Sequence, residues 1–72
     1  MDKAQFVEAL GLLLTNTCFG VKAARYEDRG PYDEFAVIEF NERPDFRVNI
    51  TGDSNAMIMS DVLRSLEAYI GY

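Results

Sequence analysis

Apolar residues recur along this chain in three different rhythms, and each rhythm names an element. From residue 3 to 16 the spacing is helical. Wound at about 100° per residue, Phe6, Val7, Leu10, Leu13, Leu14 and Thr17 fall on one face. Asp2 and Gln5 have the spacing of a capping box. Asn16 is the expected left-handed stop. Gly11 interrupts this helix and costs about 1 kcal/mol against alanine, which argues for close backbone packing. Leu12 projects beside Gln5 and Glu8 and is expected to be exposed.

The rhythm then shortens. Gly20 resets the chain, Val21 to Glu27 alternates weakly, and Phe35 to Phe40 is apolar except at Glu39. Asp28-Arg29-Gly30-Pro31 and Asn41-Glu42-Arg43-Pro44 are turns in which glycine or proline sets the backbone. Phe46, Val48 and Ile50 alternate cleanly with Asp45, Arg47, Asn49 and Thr51. Pairing Phe40 with Phe46 puts Ala36, Ile38, Phe40, Phe46, Val48 and Ile50 on one face and keeps Glu39 out of it. The alternative register buries an unpaired carboxylate. The preferred register leaves Phe35 and Val37 on the outer face.

Helical spacing returns at Asn55. Ile58, Met59, Val62, Leu63, Leu66, Tyr69 and Ile70 form one stripe, with Met57, Ser60, Arg64 and Glu67 facing away. Asp53 or Ser54 caps its start and Gly71 its end. The pattern predicts one α+β domain over residues 1–72. It has two layers, a helix, a three-stranded antiparallel sheet and a second helix, with both helices on one face. Phe46, Val48, Ile50, Ile58, Val62, Leu66, Leu10 and Leu13 are the expected core.

Composition narrows the function. At 72 residues with 49% apolar content the chain supports a single small core. Twelve acids against seven bases give a formal charge of −5. That charge opposes direct contact with nucleic acid, which draws on Lys and Arg. It favours a basic protein partner or simple solubility. The lone cysteine, Cys18, excludes an internal disulfide, fits a cytoplasmic setting, and reads as a small buried apolar group. No apolar run is long enough to cross a membrane.

The catalytic inventory is thin. The sequence holds no histidine, which removes Ser-His and Cys-His pairs and the usual general base at neutral pH. Gly52-Asp53-Ser54-Asn55 resembles the first block of GDSL-type serine hydrolases. That chemistry needs a downstream histidine, so the expected role of these residues is a strand-to-helix corner. No cofactor, metal ligand set or catalytic residue is expected.

Glu27, Asp28, Asp33 and Glu34 bracket the first turn, and their spacing does not match an EF-hand loop. Three readings stay open: a solvated tip, an acidic surface for a partner, and a Ca²⁺ site. Tyr26, Tyr32, Phe35 and Val37 cluster with them, as the anchors of an interface, a second small core or a homodimer contact. Val48-Asn49-Ile50-Thr51-Gly52-Asp53-Ser54, with Asp61-Val62-Leu63, resembles short uncharacterised proteins of Gram-positive gut bacteria and their prophages. The small acidic helix–sheet–helix plan is similar to that of some phage anti-CRISPR proteins. These resemblances imply a non-enzymatic interaction protein of a phage or mobile element, an inhibitor occupying a basic, nucleic-acid-binding site of a host defence protein. The alternative expectation is a homodimeric structural or regulatory module.

Overall fold

The computed structural model describes residues 1–17 and 20–71. The elements run α1 (Lys3–Leu14), β1 (Val21–Asp28), β2 (Glu34–Phe40), β3 (Phe46–Asn49) and α2 (Asn55–Ile70). The three strands form one antiparallel sheet in the order β1-β2-β3. Residues of both helices, Val7, Leu10, Leu14, Ile58, Val62 and Leu66, share a single buried cluster with Ala24, Ala36, Ile38, Phe40, Val48 and Ile50 of the sheet side. Both helices therefore cover the same face, as the apolar pattern predicts. Cys18 and Phe19 lie outside the described residues, so the expectation for Cys18 does too.

The start of α1 is a complete capping box. The Gln5 N–H donates to Asp2 Oδ1 at 2.8 Å, and the Asp2 N–H donates to Gln5 Oε1 at 3.1 Å. Its end differs from the expectation. Thr15 is the C-cap in right-handed conformation, and no described residue other than glycine has a positive φ. Asn16 is no left-handed stop because side chains near the C-terminus already satisfy the last carbonyls. Thr15 Oγ1 and Asn16 Nδ2 donate to Leu12 O at 2.7 and 3.4 Å, and Thr17 Oγ1 donates to Leu14 O at 2.6 Å.

Leu13 is a second correction: it is 65% exposed and not core. The buried seam of α1 is Val7, Leu10, Gly11 and Leu14. Gly11 lies at its centre, because a Cβ there would come within 2.5 Å of the Ala24 backbone nitrogen. That approach fixes the rotation of α1. Leu13 then falls roughly 110° round the helix from the seam.

The second hairpin keeps the expected parity with a different register. Ile38, not Phe40, stands opposite Phe46. The shift is even, so the same residues face the helices. Phe40 is committed elsewhere. It pairs with Val21, and next to it the Asn41 N–H donates to Gly20 O at 3.2 Å. Phe46 instead stacks on Tyr69 of α2, with ring centroids 4.5 Å apart. Phe46 itself is half-buried at the rim of the core.

Ser54 is the cap of α2, accepting the Met57 N–H at 3.3 Å, and Gly71 closes the helix at φ +88.

Candidate interaction surface

Alternation along β1 and β2 divides the eight candidate residues, Tyr26, Glu27, Asp28, Tyr32, Asp33, Glu34, Phe35 and Val37, into three groups. Asp28, Tyr32 and Asp33 are exposed at the hairpin tip. Tyr26 is on the helix side, opposite Ala36 and packed against the core, and Glu34 shares the parity of Ala36. Glu27, Phe35 and Val37 are on the outer face. They do not form one contiguous patch, because a strand sends successive side chains to opposite sides.

The outer face is not open. Val37 has zero exposure although it stands outside the helix-side core. The register sets Arg25 and Arg47 directly opposite it on the two neighbouring strands. Their aliphatic stems flank it while their charged heads reach carboxylates. Arg25 donates to Glu39 Oε2 at 3.0 Å and Glu27 Oε2 at 3.3 Å, and lies 3.6 Å from Asp45 Oδ2. Arg47 lies 3.5 Å from Glu27 Oε2, and Arg29 binds the other oxygen of Glu27. Burial pushes the Glu27 carboxyl up, but Arg29, Arg47 and Arg25 together hold it below the ordinary range. Pairs of this exposure contribute little individually. Their structural effect is to roof Val37 and leave the outer face with three cations balanced by three anions. Val37 is thereby unsuited as an exposed anchor, and Phe35 is half-buried between Glu27 and Asn49.

The negative excess therefore stands elsewhere, and most of it collects at the hairpin end. Lys3 Nζ reaches Glu34 Oε1 at 2.8 Å, which brings the N-terminus of α1 beside the hairpin. Asn55 Nδ2 donates to Met1 O at 3.3 Å, which brings the N-terminus of α2 there as well. Asp2, Asp28, Asp33, Glu34 and Asp53 are thus gathered at one pole, together with Lys3 and the tip residue Arg29. Glu34 is its organiser. The Lys3 bond first, then the Tyr26 hydroxyl and the Gly52 N–H, lower its carboxyl to about 2. The same bond, together with burial, pushes the Tyr26 hydroxyl up to about 12.

The tip itself is braced. The Arg29 N–H donates to Asp33 O at 2.8 Å and the Asp33 N–H to Gly30 O at 3.2 Å. The Gly30 N–H donates to Asp28 Oδ1 at 3.0 Å. Thr51 Oγ1 donates to Tyr32 O and accepts the Glu34 N–H, both at 3.0 Å, tying the loop to the β3–α2 corner. On this braced loop Tyr32 is 81% exposed. Met1 and Met57, at 77% and 53%, expose further apolar surface at the same pole.

The sequence reading missed Lys3, Thr51, Met1 and the paired helix N-termini as parts of this surface. No local signal could place Lys3 next to Glu34, 31 positions away. Met57 was legible as an outward position on α2 but not as a neighbour of the tip. Among the described residues, no group of acids has an arrangement able to hold a metal ion, and no helix is long and apolar enough to cross a membrane. Comparison with protein-family models, curated proteins and solved structures finds no match.

Proposed function

We propose that this chain is a non-enzymatic protein-interaction module that presents its hairpin pole to a basic surface on another protein. The observation that carries the reading is Tyr32: a large aromatic side chain, 81% exposed, on a loop held by its own hydrogen bonds, with Asp28, Arg29 and Asp33 in the same turn. A braced loop loses little entropy on docking. An aromatic anchor inside a charged rim is the arrangement that gives both dwell time and steering.

Two facts support the non-enzymatic part. The sequence contains no histidine, and the hydroxyl of Ser54 is occupied as a helix cap. In its narrower form the proposal places the chain in a phage or mobile element and makes the partner's site a nucleic-acid-binding one. The resemblance of residues 48–54 and 61–63 supports the first half, and the acidic pole supports the second.

The test is capture of partners by three forms of the protein. Asp28→Lys/Asp33→Lys should lose a basic partner held by the wild type. Tyr32→Ala should mainly speed its dissociation. Glu39→Gln, on the roofed outer face, should hold it as the wild type does. Equal binding by all forms places the interface away from the pole.

A second reading, a homodimeric structural or regulatory module, draws on Leu12 and Leu13. These adjacent residues are 71% and 65% exposed at the far end of α1. Sedimentation equilibrium of the wild type and of Leu12→Asp/Leu13→Asp decides it: this reading requires a dimer that the double variant dissolves.

A further inference from the structure

We propose that the free edge of β1, from Ala24 to Asp28, takes one bare extended segment of a partner protein as a fourth strand. This surface is separate from the tip, and the inference holds whatever the tip binds.

The backbone phase of the sheet locates the edge. In an antiparallel ladder the N–H and C=O of one residue point to the same neighbour, and successive residues alternate. The Glu34 carbonyl accepts the Ile50 N–H at 2.8 Å, so Glu34 points to β3. Phe35 and Val37 therefore point to β1, where they stand opposite Glu27 and Arg25. The Arg29 N–H, donated to Asp33 O at 2.8 Å, keeps the same phase at the turn. Ala24, Tyr26 and Asp28 are left with N–H and C=O groups directed away from β2. None of these groups meets a partner among the described residues.

Exposed edges are commonly guarded by a bulge, a charge or a proline. The start of β1 is guarded in this way: the register shifts between Val21 and Ala23, with exposed Lys22 between them. From Ala23 to Asp28 the ladder is regular and holds no proline. Ala24 is buried beside Gly11 of α1, Tyr26 is half-buried and Asp28 is exposed, so the edge opens toward the hairpin.

The position of α1 selects the occupant. A second copy of β1 would pair antiparallel through the same outward residues, and Ala24, Tyr26 and Asp28 all have helix-side parity. Both copies would then carry their helices on one face. Paired strands lie about 4.8 Å apart, and packed helices need about 8–10 Å. Gly11 holds α1 over β1, since a Cβ there would come within 2.5 Å of the Ala24 nitrogen. Two such helices collide, so the fourth strand is one with no helix above it. In strand addition the backbone gives the pairing and alternate side chains give the selectivity. On the outer side, an acid belongs opposite Arg25 and a base opposite Glu27, because the reverse order sets like charges face to face. On the helix side, a small residue belongs opposite Ala24, where α1 lies close, and an apolar one opposite Tyr26. Antiparallel to β1, the segment reads base, apolar, acid, small.

The test is an NMR titration of the labelled wild-type protein with the peptide acetyl-Thr-Lys-Val-Glu-Ala-amide. The amide resonances of Ala24, Tyr26 and Asp28 should move, and the amides of Tyr26 and Asp28 should exchange more slowly with deuterated solvent. N-methylation of the peptide's valine, whose N–H faces the Tyr26 carbonyl, should abolish both effects. N-methylation of its glutamate, whose N–H faces away from β1, should leave them in place. The peptide with lysine and glutamate exchanged should bind more weakly. Absence of shifts along β1, or shifts confined to residues 29–33, overturns the proposal. So does an equal response to the two methylated peptides.

Discussion

At the scale of single residues, Gly11 explains most about how the molecule is put together. A methyl group there would lie 2.5 Å from the Ala24 nitrogen and 2.6 Å from its Cβ. Alanine adds about 1 kcal/mol of helix propensity. Overpacking against backbone costs about 1–3 kcal/mol. The second effect wins, so Gly11→Ala should lower the urea midpoint, and Ala24→Gly in the same chain should restore part of it. A stabilised Gly11→Ala variant would show that α1 does not sit so close to β1. Leu66, with zero exposure, makes the opposite test. Leu66→Ala should cost about 2–5 kcal/mol, most of the stability of so small a core, whereas Leu13→Ala should be nearly silent. The sequence pattern shows Gly11 as a close-packing position but centres the helical stripe between Leu10 and Leu13. Correcting the centre needs the partner surface, because periodicity alone does not say which arc of a wide stripe is covered. Val37 teaches a related lesson. Parity assigns it to the outer face, but the roof over it depends on a three-strand register that brings Arg25 and Arg47 alongside.

At the scale of elements, the strands and helices were legible because rhythm, caps and turns agree. The capping box at Asp2 and the left-handed Gly71 lie where the residues imply. The caps are also testable. Ser54→Ala should lower stability by about 0.5–2 kcal/mol, with Asp53→Ala compared because the two residues act through different contacts. The first hairpin answers to pH. Glu34 is held at about 2 by Lys3, by Tyr26 and by the Gly52 N–H. A depressed carboxylate stabilises the fold above its unfolded value, so its contribution is complete at neutral pH and is lost as pH falls from the ordinary range through about 2. Tyr26, raised to about 12, contributes below its unfolded value and ceases to do so as pH climbs through about 12. Circular dichroism against pH should show an acid transition that Glu34→Gln shifts to a smaller amplitude, with reduced stability at neutral pH. An acid limb unchanged by that variant would remove Glu34 from its place at the pole. The second hairpin shows where legibility ended. Parity followed from avoiding a buried Glu39, but the loop could have been shorter or longer by an even step at no cost in facing. Phe46 stacking on Tyr69 settles the longer one.

At the scale of the whole molecule, charge is sorted. The sheet's outer face is a neutral lattice, while the N-termini of both helices and the hairpin tip gather carboxylates around three exposed apolar side chains, Met1, Tyr32 and Met57. Of the candidate surface, the tip residues Asp28, Tyr32 and Asp33 were legible in the sequence as a turn among acids. The pole was not, because it is assembled by contacts between elements distant in sequence. We propose that recognition belongs to this pole and not to the sheet's outer face. The most direct measurement is an amide chemical-shift map of the labelled protein titrated with an arginine-rich peptide carrying one aromatic residue, at low and at raised salt. The expected shifts are confined to residues 28–33 and to the first turns of α1 and α2, weakened by salt and reduced by Tyr32→Ala. Shifts centred on Val37, Glu39 and Arg47, or spread evenly over the chain, would contradict it.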